Sequence, residues 1–148
     1  RPGDGATQGV RGGGRAEAVE AASAAHRPSQ NLTIDTLPAQ ACGVDGLRVQ
    51  RVFDYAGTAT PGHAMFQWVA APRTAWPHWQ AGALVELWVR AGAVVVNGRS
   101  AGANSFVLIE PGASVRIHSP CGARVIGWAE GGASASDGGA ANAMLALG

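Results

Sequence analysis

The sequence predicts an all-β protein, a single small β-barrel or sandwich over residues 44–130 with disordered segments at 1–43 and 131–148. Three observations carry that expectation. About seven short apolar runs follow one another with turn residues every eight to twelve positions, the rhythm of antiparallel folds rather than of βαβ units. No stretch inside the block repeats apolar residues at helical spacing. All 5 tryptophans fall within it and supply large buried area for so small a core.

The elements read as follows. Leu47–Phe53 (LRVQRVF) alternates apolar and polar at first, then breaks parity at Val52 and Phe53, which suggests a bulge or a strand end. Thr60-Pro61-Gly62 is a turn, and Ala64–Val69 (AMFQWV) is the second strand, broken at Ala71-Pro72-Arg73. Leu84–Val89 and Ala93–Val96 are the third and fourth, with Ala91-Gly92 as a break between them. Asn97-Gly98 then predicts a two-residue hairpin turn, because both residues tolerate positive φ. Phe106–Ile109, Ser114–His118 and Ala123–Trp128 complete the set, divided by Glu110-Pro111-Gly112 and by Ser119-Pro120-Cys121-Gly122.

The ends differ in composition. Gly12, Gly13 and Gly14 run together, and residues 16–25 (AEAVEAASAA) favour a helix but offer no apolar face, so at best they form a transient one. The run after Glu130 (GGASASDGGAANAMLALG) reads as a flexible tail.

Composition narrows the function. Net charge is +1 with 14% charged residues and no basic stripe, so nucleic acid is not an expected partner. All 11 basic residues are arginine, which reads as coding bias. No apolar run reaches membrane-spanning length, so no membrane partner is expected, and without a secretory h-region the cytoplasm is the default location. Starting at Arg1 without Met, the chain reads as a fragment or a processed form, and the sequon at Asn31-Leu32-Thr33 reads as chance. Cys42 and Cys121 lack zinc or redox spacing and read as two unpaired thiols.

Several segments resemble, in order, the cupin family, and within it the ChrR-type domain found on some anti-sigma factors and as small stand-alone proteins. Gly46–Phe53 resembles the opening strand, Pro72–His78 the approach to the metal-binding strand, and Glu86–Gly92 the centre of the first cupin motif. Glu110–Ser114 resembles the Pro-Gly turn of the second motif, and Ser119–Val125 the closing strand. The resemblance implies a jelly-roll barrel, dimeric as small cupins tend to be. Residues 1–43 lack the His/Cys cluster of an attached zinc-binding anti-sigma domain.

A metal-competent cupin offers His-x-His, a glutamate a few residues on, and a later histidine after the Pro-Gly turn. Two ligands two apart on a strand share one face, so both point into the barrel. Here the pair reads His78-Trp79-Gln80, and glutamine is a poor transition-metal ligand. Glu86 is the candidate carboxylate, with Val85 as the alternative occupant of that position. Val115 stands at the expected histidine position, and His118 sits three further on; if Val115 points in, alternation puts His118 out. The candidate metal set is therefore His78, Gln80, Glu86 and His118, holding no metal or a weakly bound Fe, Zn, Ni or Mn ion.

No nucleophile elbow, P-loop or Cys/His arrangement marks a catalytic residue. Trp76, Trp79 and Trp88 read chiefly as core or dimer interface. Glu86 and His78 are expected to converge on the interior, leaving Val85, Leu87 and Val89 as an outer apolar row for a partner subunit. The expected function is a non-catalytic, homodimeric module that binds a small molecule in the barrel or serves in sensing or regulation. The alternative is a metal-dependent dioxygenase or isomerase using His78 and Glu86.

Overall fold

Residues 31–135 and 141–147 are described by a computed structural model; the expected glycine-rich segment and the helix-prone run 16–25 lie outside them. A 3-10 turn at Ile34–Thr36 is followed by β1 (Ala39–Ala41), β2 (Leu47–Phe53), β3 (Ala64–Ala70), β4 (Thr74–Ala75) and β5 (Trp79–Ala81). Next come β6 (Val85–Val96), β7 (Arg99–Gly102), β8 (Phe106–Ile109), β9 (Ser114–Val115), β10 (Ile117–Ser119), β11 (Ala123–Ala129), β12 (Ala133–Ala135) and a short helix α1 (Ala141–Met144). These elements belong to one compact unit, Leu32–Asp54 with Gly62–Gly148. The loop Tyr55–Pro61 groups apart from it, and within that loop the Thr58 N–H donates to the Tyr55 carbonyl at 3.0 Å.

The strand pairings are antiparallel. The larger sheet runs β1-β2-β3-β11-β6-β10-β4, with β7 and β8 also paired to β6; the smaller runs β12-β5-β9. Strand β6 is the hub, meeting β11 along Val85–Gly92, β8 along Val85–Trp88, β7 along Ala93–Val96 and β10 at Val95 and Val96.

The break expected at Ala91-Gly92 is a bulge inside this one strand. The register against β11 shifts between Arg124 and Val125, which face Ala91 and Val89, so Arg90 is the extra residue. Gly92 sits at φ +71°, and a Cβ there would lie 2.0 Å from the Gly122 carbonyl oxygen. The extra residue switches parity, so Val85, Leu87 and Val89 are buried before the bulge, and Val94 and Val96 after it. At the far end Asn97 (φ 49°) and Gly98 (φ 80°) make the expected two-residue turn, pairing Val96 with Arg99.

Two expectations change here. The outer row is not Val85, Leu87 and Val89, which are core residues; Glu86 and Trp88 face outward instead. Burying three aliphatic side chains gains about 1.5–3 kcal/mol each, whereas burying one carboxylate without a partner costs several. The barrel also continues past residue 130 and begins before residue 44. β1 pairs with β2, β12 pairs with β5, and Ala141, Met144 and Leu145 are buried in the core. The Trp68 Nε1–H donates to the Met144 carbonyl at 2.6 Å, and Arg51 donates to the Ala146 carbonyl from Nη2 at 2.9 Å. Five apolar side chains in the run AMLAL are enough to dock, although their spacing gives no regular face.

Candidate functional site

The place to look for chemistry is the barrel interior beside β5, β6 and β9. On β5 the inward residues are Trp79 and Ala81, with Gln80 between them on the solvent side. Gln80 Nε2 donates to the Gly112 carbonyl at 2.9 Å, fastening β5 to the Pro111-Gly112 turn. That turn delivers β9, whose Val115 pairs directly with Trp79. Across the interior, β6 presents Val85. Trp79 and Ala81 are 1% exposed, and Val85 and Val115 are 0% exposed.

The four candidate ligands do not come together. His78 precedes β5 and is half-buried; Gln80 is exposed. Glu86 is half-buried on the outer face, in register between Leu108 and Trp128. His118 is exposed, between Ala75 and Val95 in register, the outward position that alternation gives it once Val115 points in. Convergence of Glu86 with His78 on the interior, as the sequence suggested, is therefore corrected. Among the described residues no group of three or more His, Cys, Asp or Glu side chains could hold a metal ion.

The interior is aromatic instead. Trp68 packs edge-on against Trp76 and Trp79, with ring centroids 5.3 and 6.5 Å away, and lies 5.1 Å from Phe66. The indole nitrogens of Trp76 and Trp79 are buried with no hydrogen-bond partner among the described residues.

The strongest electrostatics lie elsewhere. Asp35, in the 3-10 turn, accepts from Gln67 Nε2 at 3.0 Å, Arg124 Nη1 at 2.8 Å and Arg90 Nη1 at 3.2 Å. The hydrogen bond from Gln67, then the two guanidiniums, hold its carboxyl below the usual range. Gln67 also donates to Gln50 Oε1 at 2.6 Å, and Gln50 donates to the Ile34 and Leu37 carbonyls at 3.0 Å each. The network straps the turn onto the sheet and satisfies two buried glutamines. Cys42 is a buried thiol pushed above its ordinary value by burial, and Cys121 is exposed; both are free.

On the outer face Trp88, Phe106, Leu108 and Trp128 are 41%, 61%, 56% and 37% exposed and surround Glu86. Glu86, Trp88, Phe106, Ile126 and Trp128 line an open hollow of about 390 Å³.

Comparison with solved structures places this topology. An acetylacetone dioxygenase from Acinetobacter johnsonii aligns at TM-score 0.65 and 16% identity, covering 83% of this chain and 95% of that one. An RmlC-like cupin protein from Ralstonia eutropha JMP134 aligns at TM-score 0.63 and 13% identity, covering 73% and 72%. The fold is a cupin fold. A third cupin-fold match is the complex of Rhodobacter sphaeroides SigE with the anti-sigma ChrR, at TM-score 0.56 and 12% identity, covering 66% of this chain and 50% of that one. By sequence, no family model and no curated protein matches the chain.

Within this cupin fold the inward positions do not suit a metal. The buried positions there are Val85 on β6, Val115 on β9 and, two apart on β5, tryptophan and alanine. None of these side chains offers a lone pair to Fe, Zn, Ni or Mn. The regular alternation of Val85, Leu87 and Val89 was the signal in the sequence that Glu86 points outward. Nothing comparable announced the docking of Met144 and Leu145.

Proposed function

We propose that this cupin-fold chain is a non-catalytic module that binds or senses a small molecule in a regulatory role, without a working metal centre. The observation that carries the reading is the inward set of Trp79, Ala81, Val85 and Val115, which has no metal donor. The match to ChrR, crystallised with SigE, supports a regulatory setting. The enzyme alternative, with a metal on His78 and Glu86, draws on the dioxygenase match, which speaks for fold alone.

The module is proposed to act as a homodimer through the outer face of β6, β8 and β11, where Trp88, Phe106, Leu108 and Trp128 are exposed around Glu86. A cytoplasmic setting fits two free thiols, since a reducing compartment keeps them so. No helix among the described residues is long and apolar enough to cross a membrane.

Elemental analysis of the chain purified without an affinity tag tests the central reading. Transition metal far below one ion per chain is expected. One ion per chain, lost on His78→Ala, establishes the enzyme reading instead. Sedimentation at micromolar concentration tests the dimer, with a Trp88→Glu variant expected to be monomeric.

A further inference from the structure

The hollow on the outer face combines aromatic rings with one uncompensated carboxylate. Alternation points Glu86 and Trp88 of β6, Ile126 and Trp128 of β11, and Phe106 of β8 to the same side of the sheet. In register Glu86 lies beside Trp128, and Trp88 lies between Ile126 and Phe106. Together these five side chains line the space of about 390 Å³, within the size range of small-molecule sites. His63 packs against Trp128 with ring centroids 5.8 Å apart, a contact that restrains that indole.

The charge decides what this hollow selects. Arg90 and Arg124 are the basic residues of β6 and β11, and both pair with Asp35, at 3.2 and 2.8 Å. Among the described residues no ion pair reaches Glu86. A carboxylate set among tryptophan and phenylalanine rings attracts a cation by its own charge and through the negative faces of the rings. A metal ion or a strongly hydrated ammonium suits it poorly, because the apolar walls replace none of the water lost and one carboxylate is too few ligands. An alkylated ammonium brings its own apolar surface to those walls. We propose that the hollow binds a small free organic cation of the quaternary ammonium class, its charged head beside Glu86 and its methyl groups against Trp88, Phe106 and Trp128. The site rests on the small-molecule reading above and gives that molecule a place and a charge.

Two probes of one shape isolate the charge: choline, and 3,3-dimethylbutan-1-ol, which carries carbon in place of the nitrogen. In ¹H–¹⁵N spectra of the full chain, the Trp88 and Trp128 indole resonances should move as either probe is added. Choline should bind about tenfold tighter than the alcohol, the factor that the rings and the carboxylate together supply. The second copy proposed above would cover the same face and weaken both probes alike, so the ratio of affinities is the quantity read. Glu86→Gln keeps the shape of the hollow and should lower that ratio about threefold, with the alcohol bound as before. Trp88→Leu keeps an apolar wall and should lower the ratio as well, read from Trp128. Equal affinity for the two probes, a ratio unchanged in either variant, movement confined to Trp68, Trp76 and Trp79, or no binding of choline overturns the proposal. Failure of this site leaves the metal content untouched, whereas failure of the non-catalytic reading appears as bound metal, so the two are told apart.

Discussion

The indole nitrogen of Trp68 donates to the carbonyl of Met144, 76 residues further along the chain, at 2.6 Å. One hydrogen bond thus fastens the C-terminal segment to a fully buried ring of the barrel, and Met144 and Leu145 are buried in the same core.

Breaking that bond should be costly in a way that breaking a neighbouring indole is not. Trp68→Phe strands the Met144 carbonyl and should lose about 1–3 kcal/mol. Met144→Ala empties a core site and should lose about 2–5 kcal/mol. Trp79→Phe removes an indole N–H without a partner among the described residues, so it should cost clearly less than Trp68→Phe. Urea denaturation of the three variants gives the order directly, and equal losses for Trp68→Phe and Trp79→Phe would contradict the interior described above.

The strap at Asp35 makes a pH-dependent contribution of defined sign. Its folded-state pKa is lowered by Gln67, Arg90 and Arg124, so its contribution is present above the ordinary value of 3.8. That contribution is lost as pH falls through the lower folded value. Asp35→Asn should therefore be less stable than the natural chain at pH 7, with the gap closing at acid pH below the ordinary value. Thermal melts across the acid range check this, and a gap that is constant with pH would exclude the ionised strap.

The two thiols should separate by reactivity. Cys121 is exposed, while Cys42 is buried and pushed upward by desolvation, which starves it of thiolate at neutral pH. Iodoacetamide should label Cys121 quickly and Cys42 only as the chain opens. Mass spectrometry of timed samples reads both rates, and comparable rates would place Cys42 outside the core.

Restoring histidines at the family positions nearest in sequence should not restore a metal site. Gln80 faces solvent and Val115 faces the core, so Gln80→His with Val115→His puts two imidazoles on opposite sides of the barrel wall. The double variant should bind Zn or Ni no more tightly than surface histidines do, and Val115→His alone should lose about 1–3 kcal/mol by burying a polar ring. Tight, stoichiometric metal binding in a calorimetric titration would mean that β5 runs in another register.

The fold was legible where side-chain alternation and turn chemistry coincide. Strands β2, β3, β8 and β11 stand within a residue or two of their expected limits, and Asn97-Gly98 turns as its φ preferences require. The bulge at Arg90 was hidden, because Ala91-Gly92 spells a break as well as it spells an extra residue. The short strands β4, β5 and β12 were hidden for another reason. With 2 or 3 residues each, they carry no period of their own and exist through their partners. At the candidate site, Val115 and the outward His118 were legible from parity. Glu86 was not, because its carboxylate, close to where the family carries a glutamate, drew it inward while its aliphatic neighbours required the opposite.

The docking of Met144 and Leu145 also sets an order of events during synthesis. Every other large residue of the barrel core, from Leu47 to Val125, leaves the ribosome before they do. Until they emerge, the three packed indoles stand against a gap that only later residues can fill, in a sheet whose pairings span long stretches of chain. Until Met144 and Leu145 emerge, the nascent barrel is therefore an open vessel with an apolar lining, and it is then that it is most exposed to aggregation and to chaperones.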